Sequence, residues 1–300
     1  MSAPGEPGAR WSESAAMGTV VHVCLVDAEA SGAEALHDLA AEVDAALSLF
    51  RPDSDVGRLN GEPGRWLPVG AHLVAVARAA ERYRDQTAGI FDPVTGPRGA
   101  ERRVRLRPAV AGGWEARLDP GCRLDFGAIA KGYAADLIRD AALASGVLAS
   151  LGTSSVSVGG RAPRPGGWRI AIGSPWSGID ETLGYLELAS GSLSMSGVRG
   201  HRLGVEDVAV RHVRDPRTGA VARTDLCSVG VVGDDGMRSE ALSTAALVLG
   251  LKEGMALCRG LGVEALFLTA SGLLFASPGL APRISLRPGM EARVRELRQI

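Results

Sequence analysis

Neither sign of charge predominates in this sequence: 33 lysines and arginines stand against 34 aspartates and glutamates, a formal net charge of −1. Holding a nucleic acid or an anionic membrane through counterion release needs a concentrated basic face. Here the arginines are interleaved with acids, so neither partner is expected and most of these charges read as solvated surface. Cysteine is scarce as well. Cys24, Cys122, Cys227 and Cys258 lie far apart with no Cys-x-x-Cys pair, which argues against zinc or thioredoxin-like chemistry and against a disulfide framework. Cys24 and Cys258 have apolar neighbours and read as small core residues. No run of about 18 or more apolar residues is present, so no membrane span is expected. The N-terminus lacks a basic segment followed by an apolar one. Residues 1–16 therefore read as a disordered leader rather than a signal peptide or anchor, and the cytoplasm is the expected setting.

What is present is a sizeable apolar fraction, 46% of 300 residues, enough for one large or two closely packed domains with a core. Residues 20–26 are apolar and β-branched, the mark of a buried strand. Leu36, Leu39, Val43, Leu47 and Phe50 recur at helical spacing and predict a helix over 33–49, stopped before Pro52 in the turn-forming stretch FRPDSD. Leu73, Val76, Ala80 and Tyr83 mark a second helix that ends near Thr87-Ala88-Gly89. Residues 97–121, rich in Arg, Gly and Pro, read as a hairpin or excursion. Ile129, Tyr133, Leu137 and Ala141 define a third helix, with Gly146 at its C-cap. Strands are expected over 147–151, 155–158, 168–172 and 227–232, a helix over 239–251, and a hairpin of 263–269 with 273–276 around Ser271-Gly272. The class is α/β, mixed with α+β rather than a simple βαβ series, and no internal repeat is evident.

Four pieces carry polar groups suited to chemistry. In DFGAIAKGYAAD, residues 125–136, a strand-like segment meets Gly127 and then a helix, leaving backbone groups at the junction without intrahelical partners. Lys131 in the first turns of that helix is electrostatically unfavourable unless an anion is near. With Asp125 the segment suits a phosphate-bearing ligand, or is an ordinary helix start with a surface lysine. Glu240 and Thr244, four apart, share a helix face and offer hard oxygen donors for magnesium, or Glu240 merely complements a helix dipole. His212 opens HVRDPRTG beside a turn and is either a general base or a structural histidine. Phe91-Asp92-Pro93 fits nucleotide recognition and plain turn chemistry equally.

Taken in order, these segments resemble the flavin transferase (ApbE) family, which moves FMN from FAD onto a serine or threonine of a target protein. The likeness runs from MGTVV at Met17 through SLFRPDSDVGRLN at 48–60, TAGIFDPVTGP at 87–97 and LDFGAIAKGYAAD at 124–136. It continues through SMSG at 194–197, HVRDPRTG at 212–219 and SEALSTAALVLG at 239–250. The resemblance implies a two-lobed fold spanning residues 17–300, with FAD and Mg²⁺ between the lobes. It implies FAD contacts from Met17, Phe50, Ile90, Phe91, Asp92, Asp125, Lys131 and Arg214, with Phe50 where the family usually has Tyr. Mg²⁺ would be held by the Ala128 carbonyl, Glu240 and Thr244, with Ser243 nearby. A Ser/Thr hydroxyl of an acceptor flavoprotein would attack the FMN-side phosphorus and expel AMP. His212 is the expected base, and Lys131 adds positive charge near the phosphates.

Three departures from the family pattern stand out. Glu240 occupies a position usually held by Asp, which moves the carboxylate by roughly one C–C bond, about 1.5 Å. Gly152-Thr153-Ser154 replaces a Gly-Gly-Asn/Asp turn. A Tyr frequent after the Ser-Gly pair is missing around Arg199. Two other readings keep the same pocket: an FAD-binding protein without catalysis, and a Mg²⁺-dependent hydrolase that gives FMN and AMP.

Overall fold

The computed structural model describes residues 8–28, 32–97, 100–175, 182–198, 213–290 and 297–299, the last three as backbone. A two-residue turn at its start revises the reading of the N-terminus. Met17 (φ 54°) and Gly18 (φ 68°) are both left-handed, the geometry that two-residue hairpins adopt because it matches strand twist. They join β1 (Ala9–Ala16) to β2 (Thr19–Val26), in register from Ala9 opposite Val26 to Ala16 opposite Thr19. The expected disordered leader is thus corrected over residues 9–16, while residues 1–7 lie outside the described residues. Strand β1 is held from outside the sheet too. Ser12 and Ser14 Oγ bond the two ring nitrogens of His37, each at 2.8 Å.

The chain continues through α1 (Gly32–Leu47), α2 (Asp55–Gly61), β3 (Leu67–Val69), α3 (Ala71–Gln86) and β4 (Val94–Thr95). A hairpin of β5 (Val104–Pro108) and β6 (Trp114–Leu118) follows, as expected for residues 97–121, then β7 (Arg123–Leu124) and α4 (Ala130–Ala141). Strands β8 (Gly146–Leu151), β9 (Ser155–Gly160), β10 (Trp168–Gly173), β11 (Thr182–Leu188), β12 (Gly191–Gly197) and β13 (Leu226–Gly233) come next. Helices α5 (Gly236–Leu249) and α6 (Leu251–Gly260) precede β14 (Glu264–Thr269), β15 (Leu274–Ala276), β16 (Ile284–Leu286) and β17 (Leu297–Gln299).

Nine strands form one sheet in the order β1-β2-β8-β9-β12-β13-β14-β15-β17. Neighbours are antiparallel except β15 with β17, so the expected mixed class is what forms. Both faces are covered, which is why β2 is apolar on both sides apart from Thr19 and His22. Val21, Val23 and Leu25 point into the core beneath the helices, whereas Cys24 and Val26 point into a second core with Trp168, Ile170 and Ile172 of β10. On the helical face α1 lies on β1 and β2, α4 on β8 and β9, α5 on β12 and β13, and α6 on β14. The opposite face carries the small sheet β10-β11-β16.

Three local expectations are revised. Gly146 is not a helix C-cap: α4 ends in Ala142, and Gly146 opens β8, where a Cβ would come within 1.8 Å of the Arg161 carbonyl oxygen. The residues after FRPD are not turn throughout, because Ser54 accepts from Gly57 N–H at 2.8 Å and so starts α2. The helix of 239–251 is two helices, broken where Gly250 adopts φ 80°. No described helix is long and apolar enough to cross a membrane, and the four cysteines form no disulfide.

Candidate functional site

One end of the nine-stranded sheet collects most of the segments singled out above. Val21 lies opposite Leu151, Leu151 opposite Ser155, Ser155 opposite Ser194, and Gly197 opposite Ser228. The Met17 turn, the 152–154 turn, the end of β12 and the start of β13 therefore share an edge. Gly152 N–H donates to Val20 C=O at 2.8 Å and Met195 N–H to Ser154 C=O at 2.7 Å. Gly152 (φ 61°) has no room for a side chain, since a Cβ would sit 2.2 Å from Thr19 Oγ1. Thr153 and Ser154 thus follow a glycine the turn still requires.

Above this edge the N-terminal turns of α4 and α5 meet backbone to backbone. A Cβ on Gly132 would lie 2.3 Å from the Gly236 carbonyl oxygen. The close approach lets Glu240, one turn into α5 and only 5% exposed, reach α4. Its Oε2 accepts Gly132 N–H at 2.8 Å and its Oε1 accepts Ser155 Oγ–H at 2.5 Å. Glu240 is therefore not in the first turn of its own helix; the dipole it complements belongs to α4. Burial pushes its carboxyl above the ordinary range, opposed by Lys131 and by the two hydrogen bonds.

Further oxygens lie on the same two helices. In a regular helix Gly132 N–H would go to Ala128 C=O; with Glu240 taking it, no backbone N–H among the described residues donates to that carbonyl. Ser196 Oγ of β12 lies 2.8 Å from Ser243 Oγ and 3.0 Å from Thr244 Oγ1, which places both expected hydroxyls together. Lys131 Nζ donates to Gly127 C=O at 3.2 Å, and Asp125 Oδ1 accepts Gly127 N–H at 2.7 Å. Asp125 and Lys131 thus shape the same glycine turn from its two sides.

The 87–97 segment joins this turn through β4 and β7, with Val94 opposite Leu124 and Asp125 N–H donating to Pro93 C=O at 2.9 Å. Asn60, to which sequence reasoning gave no role, clamps β7 by accepting Leu124 N–H at 2.7 Å and donating to Leu124 C=O at 2.9 Å. Asp92 is 1% exposed at its side chain, 3.3 Å from Arg84 and 3.7 Å from Arg102. Burial raises its carboxyl against the pull of Val94 N–H and both arginines. Arg102 also donates to Pro216 C=O at 3.1 Å, tying the Asp92 turn to the 213–221 hairpin. In that hairpin Arg214 pairs with Val221, and its guanidinium donates to Gly219 C=O at 3.1 Å. His212 and Arg199 lie outside the described residues.

The other expected FAD contacts divide. Phe50 is 73% exposed and Met17 and Ile90 are half-buried. Phe91 is 3% exposed and packs in the core, with its N–H given to Thr87 Oγ1 at 3.0 Å. Ser155 was also missed, and Ser196 stood within SMSG without a role of its own. Nothing in a serine's own neighbourhood marks it as the partner of a helix 40 or more residues away; only strand register does.

The ApbE family model matches residues 17–100 and 99–267 of the chain. A FAD:protein FMN transferase of Klebsiella pneumoniae (strain 342) is 27% identical over 291 residues, covering 87% of this chain and 90% of that protein. Another, from Treponema pallidum (strain Nichols), is 28% identical over 291 residues, covering 84% of this chain and 80% of that protein. The solved structure of the flavin transferase ApbE from Vibrio cholerae has a TM-score of 0.75 to this fold at 22% identity, over 92% of this chain and 99% of its own. By the extent of these matches, the chain belongs to the ApbE family.

Proposed function

We propose that this chain transfers FMN from FAD to a serine or threonine hydroxyl of an acceptor flavoprotein, releasing AMP, at a Mg²⁺-dependent site between two closely packed lobes. One observation carries the reading: Glu240 of α5 reaches the α4 segment of Ala128 and Lys131 through Gly132 N–H, while Ser243 and Thr244 of the same helix lie against Ser196 at the end of β12.

The donor set fits a hard cation. A carboxylate offers roughly four lone-pair sites, and Glu240 spends one bond on each oxygen, so it retains capacity for a cation. Ala128, Glu240 and Thr244 would hold Mg²⁺, with Ser243 bracing Thr244 through Ser196. When bound there, Mg²⁺ supplies Lewis-acid neutralisation of charge on the pyrophosphate. The chain's own groups do the rest. Lys131 presents positive charge at the α4 N-terminus, where phosphate oxygens are favoured. Asp125 and Arg214 would line the approach for FAD, with the turn of Asp92 held beside them by Arg84 and Arg102. His212 takes the proton of the incoming hydroxyl as its oxygen bonds the FMN-side phosphorus and the bond to AMP breaks.

The test is to incubate the protein with FAD and Mg²⁺ and follow AMP with and without candidate acceptors. AMP that forms only with an acceptor supports transfer. AMP with equal free FMN and no acceptor identifies a hydrolase; FAD bound without AMP identifies a carrier.

A further inference from the structure

At the crossing of α4 and α5 each helix carries a carboxylate, buried at Glu240 and half-buried at Asp136, that closes the other's first turn. Glu240 of α5 accepts Gly132 N–H of α4 at 2.8 Å, and Asp136 of α4 accepts the N–H of Gly236, the first residue of α5, at 2.7 Å. The two bonds run in opposite directions across one backbone contact, where a Cβ on Gly236 would also collide, 2.7 Å from the Gly132 carbonyl oxygen. Strand β9 braces both carboxylates. Ser155 donates to Glu240, and Ser157, two residues on and so on the same sheet face, donates to Asp136 at 2.7 Å.

The two carboxylates differ in how far they are used up. Asp136 Oδ1 takes Ser157, Ser192 of β12 at 2.9 Å and Arg139 at 2.9 Å, while Oδ2 takes Gly236 N–H. Three partners crowd Oδ1 and one holds Oδ2, twice the number that Glu240 carries. Glu240 has two. The more heavily bonded carboxylate is thus a fixture, and the less bonded one is the more available.

We propose that Asp136 is a positioning residue for the cation-binding carboxylate: by pinning the first amide of α5 to α4 it sets where Glu240 arrives beside Gly132 and Ala128. This rests on the reading above that Glu240 and Ala128 hold Mg²⁺. Glu240 lies four residues beyond Gly236, about 6 Å along the helix, so a slip of α5 moves it one-for-one. Magnesium demands near-ideal geometry and tolerates such a slip poorly.

The test titrates Mg²⁺ into wild type and variants in the presence of FAD, following flavin fluorescence, with melting temperature and amide exchange measured alongside. Asp136→Ala should raise the Mg²⁺ midpoint roughly 10–100-fold, the range for outer partners of metal ligands, and speed exchange at both Gly236 and Gly132. Asp136→Asn, which keeps an oxygen for Gly236 N–H, should restore part of the loss. Should Asp136→Ala not fold, Ser157→Ala and Ser192→Ala each remove one bond to Asp136 and should raise the midpoint in the same direction by a smaller factor. A lowered melting temperature with an unmoved Mg²⁺ midpoint would show a merely structural role and overturn the inference. If wild type itself shows no Mg²⁺-dependent change, the metal reading fails and the inference falls with it.

Discussion

Replacing Gly132 by alanine sets two effects of opposite sign against each other. Inside a helix, alanine is favoured over glycine by about 1 kcal/mol, so α4 considered alone is stabilised. At this position the added Cβ would stand 2.3 Å from the Gly236 carbonyl oxygen. That neighbour is backbone, so no rotamer change relieves the contact, and overpacking of this kind costs about 1–3 kcal/mol. Separation of the helices also breaks the 2.8 Å bond from Gly132 N–H to Glu240, and a hydrogen bond to a charged group contributes about 1.5–3 kcal/mol. The balance is a net loss of about 1.5–5 kcal/mol, a large part of a typical domain's stability. Urea denaturation with linear extrapolation reads it directly. Gly260→Ala is the control, since a Cβ there meets nothing within 4 Å; it should be neutral or slightly stabilising. A Gly132→Ala protein as stable as wild type would refute the account of the crossing.

Other outcomes follow from the same structure. Asn60→Ala should destabilise by about 2–4 kcal/mol, because it removes both bonds to Leu124 and strands a backbone pair; denaturant midpoints check this. His37 is held below its ordinary value of 6.5 chiefly by burial, with Asp38 opposing and His22 adding. Its contribution is complete above 6.5, falls as the pH drops and the unfolded chain takes the proton first, and levels once folded His37 is protonated. Thermal melts of wild type and His37→Gln across that window should differ in slope, and parallel curves would count against the β1–α1 tie. Glu240→Gln keeps the side chain's size but removes its charge, and should cut Mg²⁺-dependent AMP release by more than the roughly 10–100-fold typical of outer partners.

How much of this was legible in the chain depended on the range of the interaction. Helices α1, α3 and α4 and strands β2, β8, β9 and β10 follow from local periodicity, and each forms within a few residues of its expected place. Strand β1 was not legible because a Met-Gly turn carries no strong hairpin signal and the strand's apolar face is short. Gly146 shows the converse failure: a glycine after a helix suggests a C-cap, yet here it serves a close strand contact. The site was legible as motifs, but not as geometry. Ser155, Ser157 and Ser192 reach Glu240 and Asp136 only because β9 and β12 are neighbours. The same holds for Glu240, whose longer side chain is used to span from α5 to both an α4 amide and a β9 hydroxyl.

The most direct measurement is mass spectrometry of an acceptor flavoprotein after incubation with this protein, FAD and Mg²⁺. The account predicts an acceptor heavier by one FMN less one water, AMP in equal amount, and loss of the adduct when the acceptor's target Ser or Thr is replaced by Ala. An unmodified acceptor alongside AMP and free FMN, or FAD left intact, would contradict it.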